Sequence, residues 1–190
     1  MKANVNYLYD NDEIIIIEID KNEYKFIIKN DEAIVEYKDD IHIMEASNLF
    51  NKLRPYISKI HSKNNEFYQE FDKIHTFKLP IDILQPSKMF IDENVLDSID
   101  EDIDENIVYF PVAIINDEYV LLDGHARLYK IKENYVKMVN VFLAEYDEYI
   151  PDFVYICKEG NIKNIKNIHI LKHEEYELYW NQFLEQFEIK

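Results

Sequence analysis

Apolar positions in the first part of the chain follow two different patterns, one typical of strands and one typical of helices. Residues 5–44 consist of short β-branched and aromatic runs separated by polar groups that suit hairpin turns. They predict an antiparallel β-meander that ends with a strand at 41–44. Residues 45–76 place apolar side chains at helical spacing. They predict one helix that Pro55 kinks or restarts, and a second helix over roughly 64–74.

The middle of the chain changes to alternating strands and helices. A short strand-like segment at 78–84 comes first, and an acidic amphipathic helix is predicted over 92–103. The inward-facing residues of this helix are expected to be Val95, Leu96, Ile99 and Ile103. The apolar run 107–115 predicts a strand. Pro111 within it indicates an edge or bulged position, because proline cannot donate a hydrogen bond to a sheet.

Another strand, at 119–122, leads directly into an Asp-Gly pair. A helix over about 125–133 and a strand over 138–145 complete this part of the chain. The remaining residues predict further helices. The last of these aligns Tyr176, Trp180, Phe183 and Phe187 along one face.

These elements predict an α+β protein in three segments. Residues 1–76 form the β-meander with its helical segment, and residues 77–146 form a small α/β core. Residues 147–190 form a helical extension that packs on the core.

Composition narrows the classes of partner. The formal net charge is −17, and a surface this acidic repels phosphate backbones and anionic lipids. A nucleic-acid or membrane partner is therefore not expected. No apolar signal segment starts the chain, and the single cysteine, Cys157, cannot form an internal disulfide. We therefore expect a cytoplasmic bacterial protein with a nucleotide, a small-molecule substrate or another protein as partner.

The stretch DGHAR, at 123–127, concentrates rare residues. The chain has 2 glycines and two arginines, and Gly124 and Arg127 lie three positions apart. The first N–H groups of a helix lack internal partners and attract anions, so the backbone from Gly124 through Ala126 can meet a phosphate. Arg127 can fork onto its oxygens, and His125 can donate a hydrogen bond or exchange a proton. Asp123 can cap the helix, contact a metal ion or accept a proton.

The same residues also have a purely structural interpretation. Asp-Gly is a common turn, and an aspartate before a helix is a common cap. Arg127 can pair with one of the 38 acidic residues of the chain. The residues alone leave the anion site and the capped turn as open alternatives.

The segments LPIDILQPSKMFIDENVLDSID and PVAIINDEYVLLDGHARLYKIKENYVKMVNVFL resemble the ParB/sulfiredoxin superfamily. The resemblance covers about 78–146 and implies a small α/β domain that binds nucleotide phosphates at the turn after a strand. Gly124, His125, Ala126 and Arg127 would then contact ATP, ADP or CTP with Mg²⁺. The tail also resembles a clostridial-type group of ParB-like proteins, which implies no particular activity.

Within the superfamily, the motif is most similar to that of ADP-dependent free serine kinases, which carry Asp-Gly-His-His-Arg. Ala126 replaces the second histidine of that pattern, and Lys88 stands where the catalytic glutamate is expected. Glu93 is a candidate substitute for that glutamate. The catalytic cysteine of sulfiredoxins would fall at His125, so their chemistry is excluded here. No helix-turn-helix segment like that of the ParB centromere binders is evident.

Three functions are therefore open. The first is a nucleotide-phosphate-binding protein, with phosphotransferase or nucleotidase activity for which Asp123 and His125 are the catalytic candidates. The second is a non-catalytic acidic module for protein interactions, which Lys88 at the glutamate position favours. A ParB-like nuclease is the weakest of the three because of the negative charge.

No metal site is predicted from the protein's own side chains. His169 and His173 are four residues apart and could share a helix face, but no third ligand is evident. The acidic run at 91–106 lacks the glycine and the ligand spacing of a calcium loop. A solvated helix face is the preferred interpretation of this run.

Overall fold

The structure is a computed structural model. It describes residues 3–10, 12–99, 108–133 and 136–185. The chain divides into two compact units, Met1–Thr76 and Phe77–Lys190. Mixed sheets and helices make the protein an α+β protein, as expected. Among the described residues, no helix is long and apolar enough to cross a membrane.

The first unit is a six-stranded sheet with one helix. Its strands follow each other across the sheet in chain order: β1 (Ala3–Asp10), β2 (Asp12–Ile19), β3 (Asn22–Lys29), β4 (Glu32–Tyr37), β5 (Lys59–Ser62) and β6 (Tyr68–Glu70). Strands β1 to β4 pair antiparallel, as the meander prediction requires. Strand β5 runs parallel to β4, and the connection between them contains helix α1 (Ile43–Leu53). The ring of Phe50 on α1 stacks on Phe26 of β3 at 4.3 Å.

Two predictions for this unit were wrong. Residues 41–44 lead into α1 instead of forming a strand, and the N–H of His42 donates to the Tyr24 hydroxyl at 3.0 Å. No helix forms over 64–74, where a turn and β6 stand instead. The N–H of Phe67 donates to the Ser62 hydroxyl at 3.0 Å, and these contacts close a hairpin with β5. In addition, helix α1 ends at Leu53 and strand β5 follows at Lys59–Ser62, so the kink or restart predicted at Pro55 does not occur.

The second unit is built on a five-stranded mixed sheet. The strands of this unit, including two outside that sheet, are β7 (Thr76–Pro80), β8 (Gln85–Pro86), β9 (Phe90–Asp92), β10 (Tyr109–Ile115), β11 (Glu118–Leu121), β12 (Met138–Leu143) and β13 (His169–Leu171). Its helices are α2 (Glu93–Asp97), α3 (His125–Glu133), α4 (Ile150–Glu159) and α5 (His173–Glu185). The order across the sheet is β7-β12-β10-β11-β8, and β9 pairs separately with β13. Strand β12 is parallel to β10, and β8 is parallel to β11.

Side chains from both faces of this sheet are buried. Alternate residues of a strand point to opposite faces. Phe110 and Val112 pack with Leu128 of α3 on one face. Ile115 packs with Phe153 of α4 on the other face. Helix α4 thus packs on this face of the sheet, and strand β13 stands between α4 and α5 in the chain.

The prediction that Pro111 marks an edge strand was wrong, because β10 is the central strand of the sheet. The Pro111 carbonyl accepts a hydrogen bond from the N–H of Leu122 at 3.0 Å. The N–H and C=O of one strand residue point to the same side, so the missing donor also faces Leu122. Leu122 lies just beyond the end of β11, where the ladder has already stopped. The proline therefore occupies a central strand without breaking an interior pair.

The acidic helix is shorter than the sequence predicted. Helix α2 ends at Asp97, and Ile103 lies outside the described residues. Leu96 is buried as expected, but Val95 is 49% exposed. A single helical turn of this kind can bury only part of the predicted apolar face.

The last helix, α5, is observed where it was predicted. Trp180 meets Phe153 edge to face, with ring centroids 6.2 Å apart, and stacks on Tyr176 at 6.0 Å. Phe187 and the side chain of Phe183 lie outside the described residues. The buried thiol of Cys157 belongs to the core, and burial raises its pKa to about 12. This thiol is therefore not an available nucleophile.

Candidate functional site

A left-handed glycine connects β11 to α3. Gly124 has a φ of +81°, which residues with a Cβ rarely adopt. A Cβ at this position would lie 2.9 Å from Cδ1 of Phe110. The Gly124 carbonyl accepts the first helical hydrogen bond, from the N–H of Leu128 at 2.9 Å. Gly124 therefore occupies the N-cap position, directly before α3. The carboxylate of Asp123 is exposed and makes no hydrogen bond within the described part of the chain.

The first residue of α3, His125, is almost completely buried. Its side chain is 3% exposed, and its Nε2 accepts a hydrogen bond from the N–H of Ser87 at 3.1 Å. A backbone N–H can only donate, so Nε2 is unprotonated and Nδ1 carries the ring proton. Among the described residues, Nδ1 has no hydrogen-bond partner. An unsatisfied buried donor of this kind costs about 1–3 kcal/mol, which makes it a candidate contact for a ligand.

Ser87 holds this ring in place. Its hydroxyl donates to the carbonyl of Leu121, the last residue of β11, at 2.7 Å. Ser87 is itself buried and follows β8, the strand that pairs with β11. The serine therefore ties the end of one strand to the first residue of the next helix. It fixes both the orientation and the tautomer of His125.

Burial lowers the pKa of His125 to about 3, and the positive charge of Lys88 adds to this effect. The imidazole is therefore neutral near pH 7. The sequence suggested hydrogen-bond donation or proton exchange for His125. The geometry favours donation from Nδ1, since Nε2 is occupied and the ring has little contact with solvent.

A cleft of about 330 Å³ lies around this turn, and we call it the DGHAR cleft. Its lining includes Lys88, Phe90, Asp92, Asp123, Gly124, His125, Ala126, Arg127 and Tyr176. The five predicted site residues thus all border one space. Arg127 makes no ion pair with a carboxylate among the described residues. Its Nη2 lies 3.6 Å from the point that a Gly124 Cβ would occupy, so the guanidinium extends over the glycine.

A buried carboxylate, that of Asp92, also borders this cleft and was not singled out from the sequence. Asp92 precedes α2, and its Oδ1 accepts from the N–H of Asn94 at 2.9 Å. Its Oδ2 contacts Nδ1 of His173 at 2.7 Å. Glu93, the candidate suggested by the resemblance, is exposed and does not line the cleft. The sequence signal for Asp92 was an aspartate directly before a predicted helix. Its contact with His173 could not be predicted from the sequence, because the two residues lie 81 positions apart.

Lys88 borders two clefts. It lines the DGHAR cleft, and it also lines a neighbouring cleft on the side of α4 and α5. Its Nζ lies 5.3 Å from the centroid of the Trp180 ring, within the range of a cation–π contact. The residue that stands at the expected glutamate position thus adds a positive charge beside the turn.

His169 and His173 do not share a helix face. His169 lies on β13, whereas His173 begins α5. Within the described ranges, no three His, Cys, Asp or Glu side chains are grouped so as to hold a metal ion.

The contact between His173 and Asp92 predicts a pH-dependent contribution of α5 to stability. The hydrogen bond to Asp92 and the charge of Asp92 raise the pKa of His173, and Glu177 and Glu174 add to this effect. A raised folded pKa gives a contribution that is complete below the ordinary value of about 6.5 and is lost as the pH rises through the folded pKa. We expect His173→Asn to lower the melting temperature clearly at pH 6 and much less at pH 9.

The matched control is His169→Asn, which removes a neighbouring histidine whose side chain makes no hydrogen bond or ion pair within the described part of the chain. Its effect on the melting temperature should not depend on pH in this way. An equal loss for His173→Asn at both pH values would contradict the ionic contact.

Comparisons with known proteins show structural similarity at low sequence identity and no match by sequence. No protein-family model matches the chain, and no curated protein matches it. Protein Atu1540 from Agrobacterium tumefaciens is similar in structure at 14% identity and a TM-score of 0.37, over 50% of this chain and 62% of that one. The C-terminally truncated chromosome-partitioning protein ParB from Caulobacter crescentus, complexed with CTP-gamma-S, is similar at 22% identity and a TM-score of 0.33. This second match covers 60% of this chain and 65% of that one.

The chain thus spans less than two thirds of either solved structure. At these TM-scores neither structure bears on the function of this chain. The side chains around the turn are the features that do.

Proposed function

We propose that residues 77–146 form a ParB/sulfiredoxin-like scaffold and that the DGHAR cleft binds the phosphate groups of a nucleotide. The observation that carries the proposal is the unpartnered Nδ1–H of His125. It is a buried donor on the first residue of α3, and His125 is one of the residues that line the cleft. A ligand that accepts from this donor would remove the cost of leaving it unsatisfied.

The surrounding groups have the chemistry of an anion site. The N-terminal end of α3 offers unpaired backbone N–H groups and the positive end of the helix dipole. Arg127 offers a guanidinium with no described carboxylate partner, and Lys88 offers an ammonium at the edge of the cleft. This local set of positive groups suits a phosphate in a protein whose total charge is −17.

Catalysis is a further expectation that rests on one side chain. Both oxygens of Asp92 are engaged, by the N–H of Asn94 and by His173. Of the two carboxylates that line the cleft within the described ranges, that of Asp123 is left to accept a proton or contact a Mg²⁺ ion. One carboxylate together with phosphate oxygens is a usual way to hold Mg²⁺. A nucleotide hydrolysis assay that compares wild type with Asp123→Asn tests this role, and equal rates would reject it.

Thermal unfolding with Mg²⁺ and ATP, ADP or CTP tests the binding proposal. A ligand at a hundred times its Kd stabilises the folded state by about 2.7 kcal/mol. We expect at least one nucleotide to raise the melting temperature of the wild type, and Arg127→Ala to weaken its binding about tenfold or more because a charge-assisted fork is lost.

Lys130→Ala is the matched control, since it removes another cation of α3 that does not line the cleft. This variant should keep the nucleotide-induced shift. A shift of the same size in Arg127→Ala, or no shift with any nucleotide in the wild type, would reject the proposed site.

A further inference from the structure

A second cleft adjoins the DGHAR cleft and has aromatic walls. It has a volume of about 370 Å³, and we call it the Trp180 cleft. Its lining includes Lys88, Glu145, Asp147, Tyr149, Phe153 and Trp180. Tyr149 and Phe153 have ring centroids 5.0 Å apart, and Phe153 meets Trp180 edge to face at 6.2 Å. Rings from α4 and α5, together with Tyr149 just before α4, thus border a space of the size that a nucleoside needs.

The two clefts are joined by consecutive residues. Lys88 lines both of them. Ser87 lines the Trp180 cleft, and its N–H donates to the His125 ring, which borders the DGHAR cleft. A ligand that places its phosphates beside His125 therefore has the aromatic cleft as its neighbour, and the ammonium of Lys88 stands where the two clefts meet.

Carboxylates supply the polar part of the aromatic cleft. The hydroxyl of Tyr149 donates to Oδ2 of Asp147 at 2.6 Å, which orients that carboxylate. Glu145 is exposed and makes no hydrogen bond or ion pair within the described part of the chain. Ionised carboxylates accept hydrogen bonds and cannot donate them. They therefore suit a ligand with N–H donors, such as the exocyclic amino group of a nucleobase.

From these observations we propose that the Trp180 cleft is the base-binding subsite of the same nucleotide, and that it prefers bases with an exocyclic amino group. The proposal rests on the phosphate site proposed above and adds a location and a selectivity for the base. Aromatic rings would contact the base, Glu145 or Asp147 would accept from its amino group, and Lys88 would lie near the phosphates. Stacking on an aromatic side chain contributes about 1–3 kcal/mol per base.

Isothermal titration calorimetry with Mg²⁺ and CTP, ATP, UTP or inorganic tripolyphosphate tests the subsite. We expect wild type to bind CTP and ATP at least tenfold more tightly than tripolyphosphate. Trp180→Leu should leave the affinity for tripolyphosphate unchanged and lower the affinities for CTP and ATP to nearly the same value. Trp180 is the single tryptophan of the chain, so its fluorescence should also change with CTP in the wild type.

Two further variants complete the experiment. Glu145→Gln changes an exposed residue and should narrow the preference for CTP over UTP without unfolding the protein, so it tests the subsite even if Trp180→Leu does not fold. Tyr155→Leu is the matched control, since Tyr155 is 64% exposed on α4 and lines neither cleft. It should bind every ligand as wild type does.

The outcomes separate the two proposals. The base subsite is overturned if the wild type binds CTP and ATP no more tightly than tripolyphosphate. It is also overturned if the higher affinity for CTP and ATP persists in both Trp180→Leu and Glu145→Gln. Neither result contradicts the phosphate site. Loss of tripolyphosphate binding in Trp180→Leu, despite a native fold, also overturns the base subsite, because Trp180 would then support phosphate binding, directly or through Lys88, and not the binding of a base. No binding of any phosphate compound to the wild type overturns both proposals.

Discussion

Gly124→Ala is expected to destabilise the second unit by about 3 kcal/mol. A left-handed backbone costs about 1–2 kcal/mol for a residue with a Cβ, and overpacking a core costs about 1–3 kcal/mol. Both costs apply here, since φ is +81° and the new Cβ would lie 2.9 Å from the buried ring of Phe110. Urea unfolding, followed by the fluorescence of Trp180, measures the change in the free energy of unfolding.

The chain provides its own control for this substitution, because its other glycine, Gly160, has a φ of −75°. A Cβ there would meet the flexible end of Met89 at 3.0 Å. We expect Gly160→Ala to change the free energy of unfolding by less than about 1 kcal/mol, because neither strain nor a rigid contact opposes it. Equal losses for the two variants would show that the turn before α3 does not require glycine.

The second large effect is a loss of stability in mild acid that depends on His125. Its pKa is about 3 in the folded protein and about 6.5 when unfolded, so the unfolded chain binds the extra proton between these values. The contribution of a lowered pKa is complete above about 6.5 and falls as the pH decreases. Between pH 7 and pH 5 the loss is about 2 kcal/mol. Chemical unfolding at several pH values measures this slope.

The comparison that isolates this effect uses His125→Asn, which has no titratable group at the position. Its overall stability will be lower, but its free energy of unfolding should fall less between pH 7 and pH 5 than that of the wild type. Because both proteins contain His173, its opposite pH dependence cancels in the difference. His75→Asn, at an exposed position, is the control. A slope for His125→Asn as steep as that of the wild type would mean that His125 is not the buried neutral group.

Local sequence patterns predicted the structure correctly where the turn residues themselves determine the backbone conformation. Asn116 and Asp117 turn β10 into β11, and both have positive φ in a two-residue hairpin, a conformation that Asn and Asp tolerate better than most residues. The helix over 125–133 was also placed correctly, since an Asp-Gly pair precedes a segment with helical composition. Each of these signals acts within a few residues and needs no distant partner.

The errors in the fold arose where a distant partner decides the structure. Residues 41–44 are β-branched enough for a strand, yet the contact between His42 and Tyr24 places them at the start of α1. Phe67 and Phe71 have helical spacing, but pairing with β5 gives strand β6 between them. An apolar period does not say which neighbour buries the side chains. Tertiary pairing therefore overrode the local pattern.

The candidate site was partly readable from sequence. Gly124 and Arg127 were recognisable because the chain uses so few of either residue. The burial of His125 and its contact with Ser87, 38 positions away, could not be read from the motif. For the same reason, Lys88 was interpreted only as a missing glutamate, whereas its neighbours in space give it a place between two clefts.

The surroundings of Gly124 also limit which substitutions this turn can accept. Within the described residues, left-handed φ angles also occur at Asp20, Lys21, Asn30, Asn65, Asn116, Asp117 and Asn161. Turns of this protein therefore accept side chains at left-handed positions, so the dihedral angle alone does not demand glycine at 124. The ring of Phe110 supplies the additional demand, because it fills the space that any Cβ would need. A side chain at position 124 is therefore accommodated only after Phe110 on β10 has been replaced by a smaller residue.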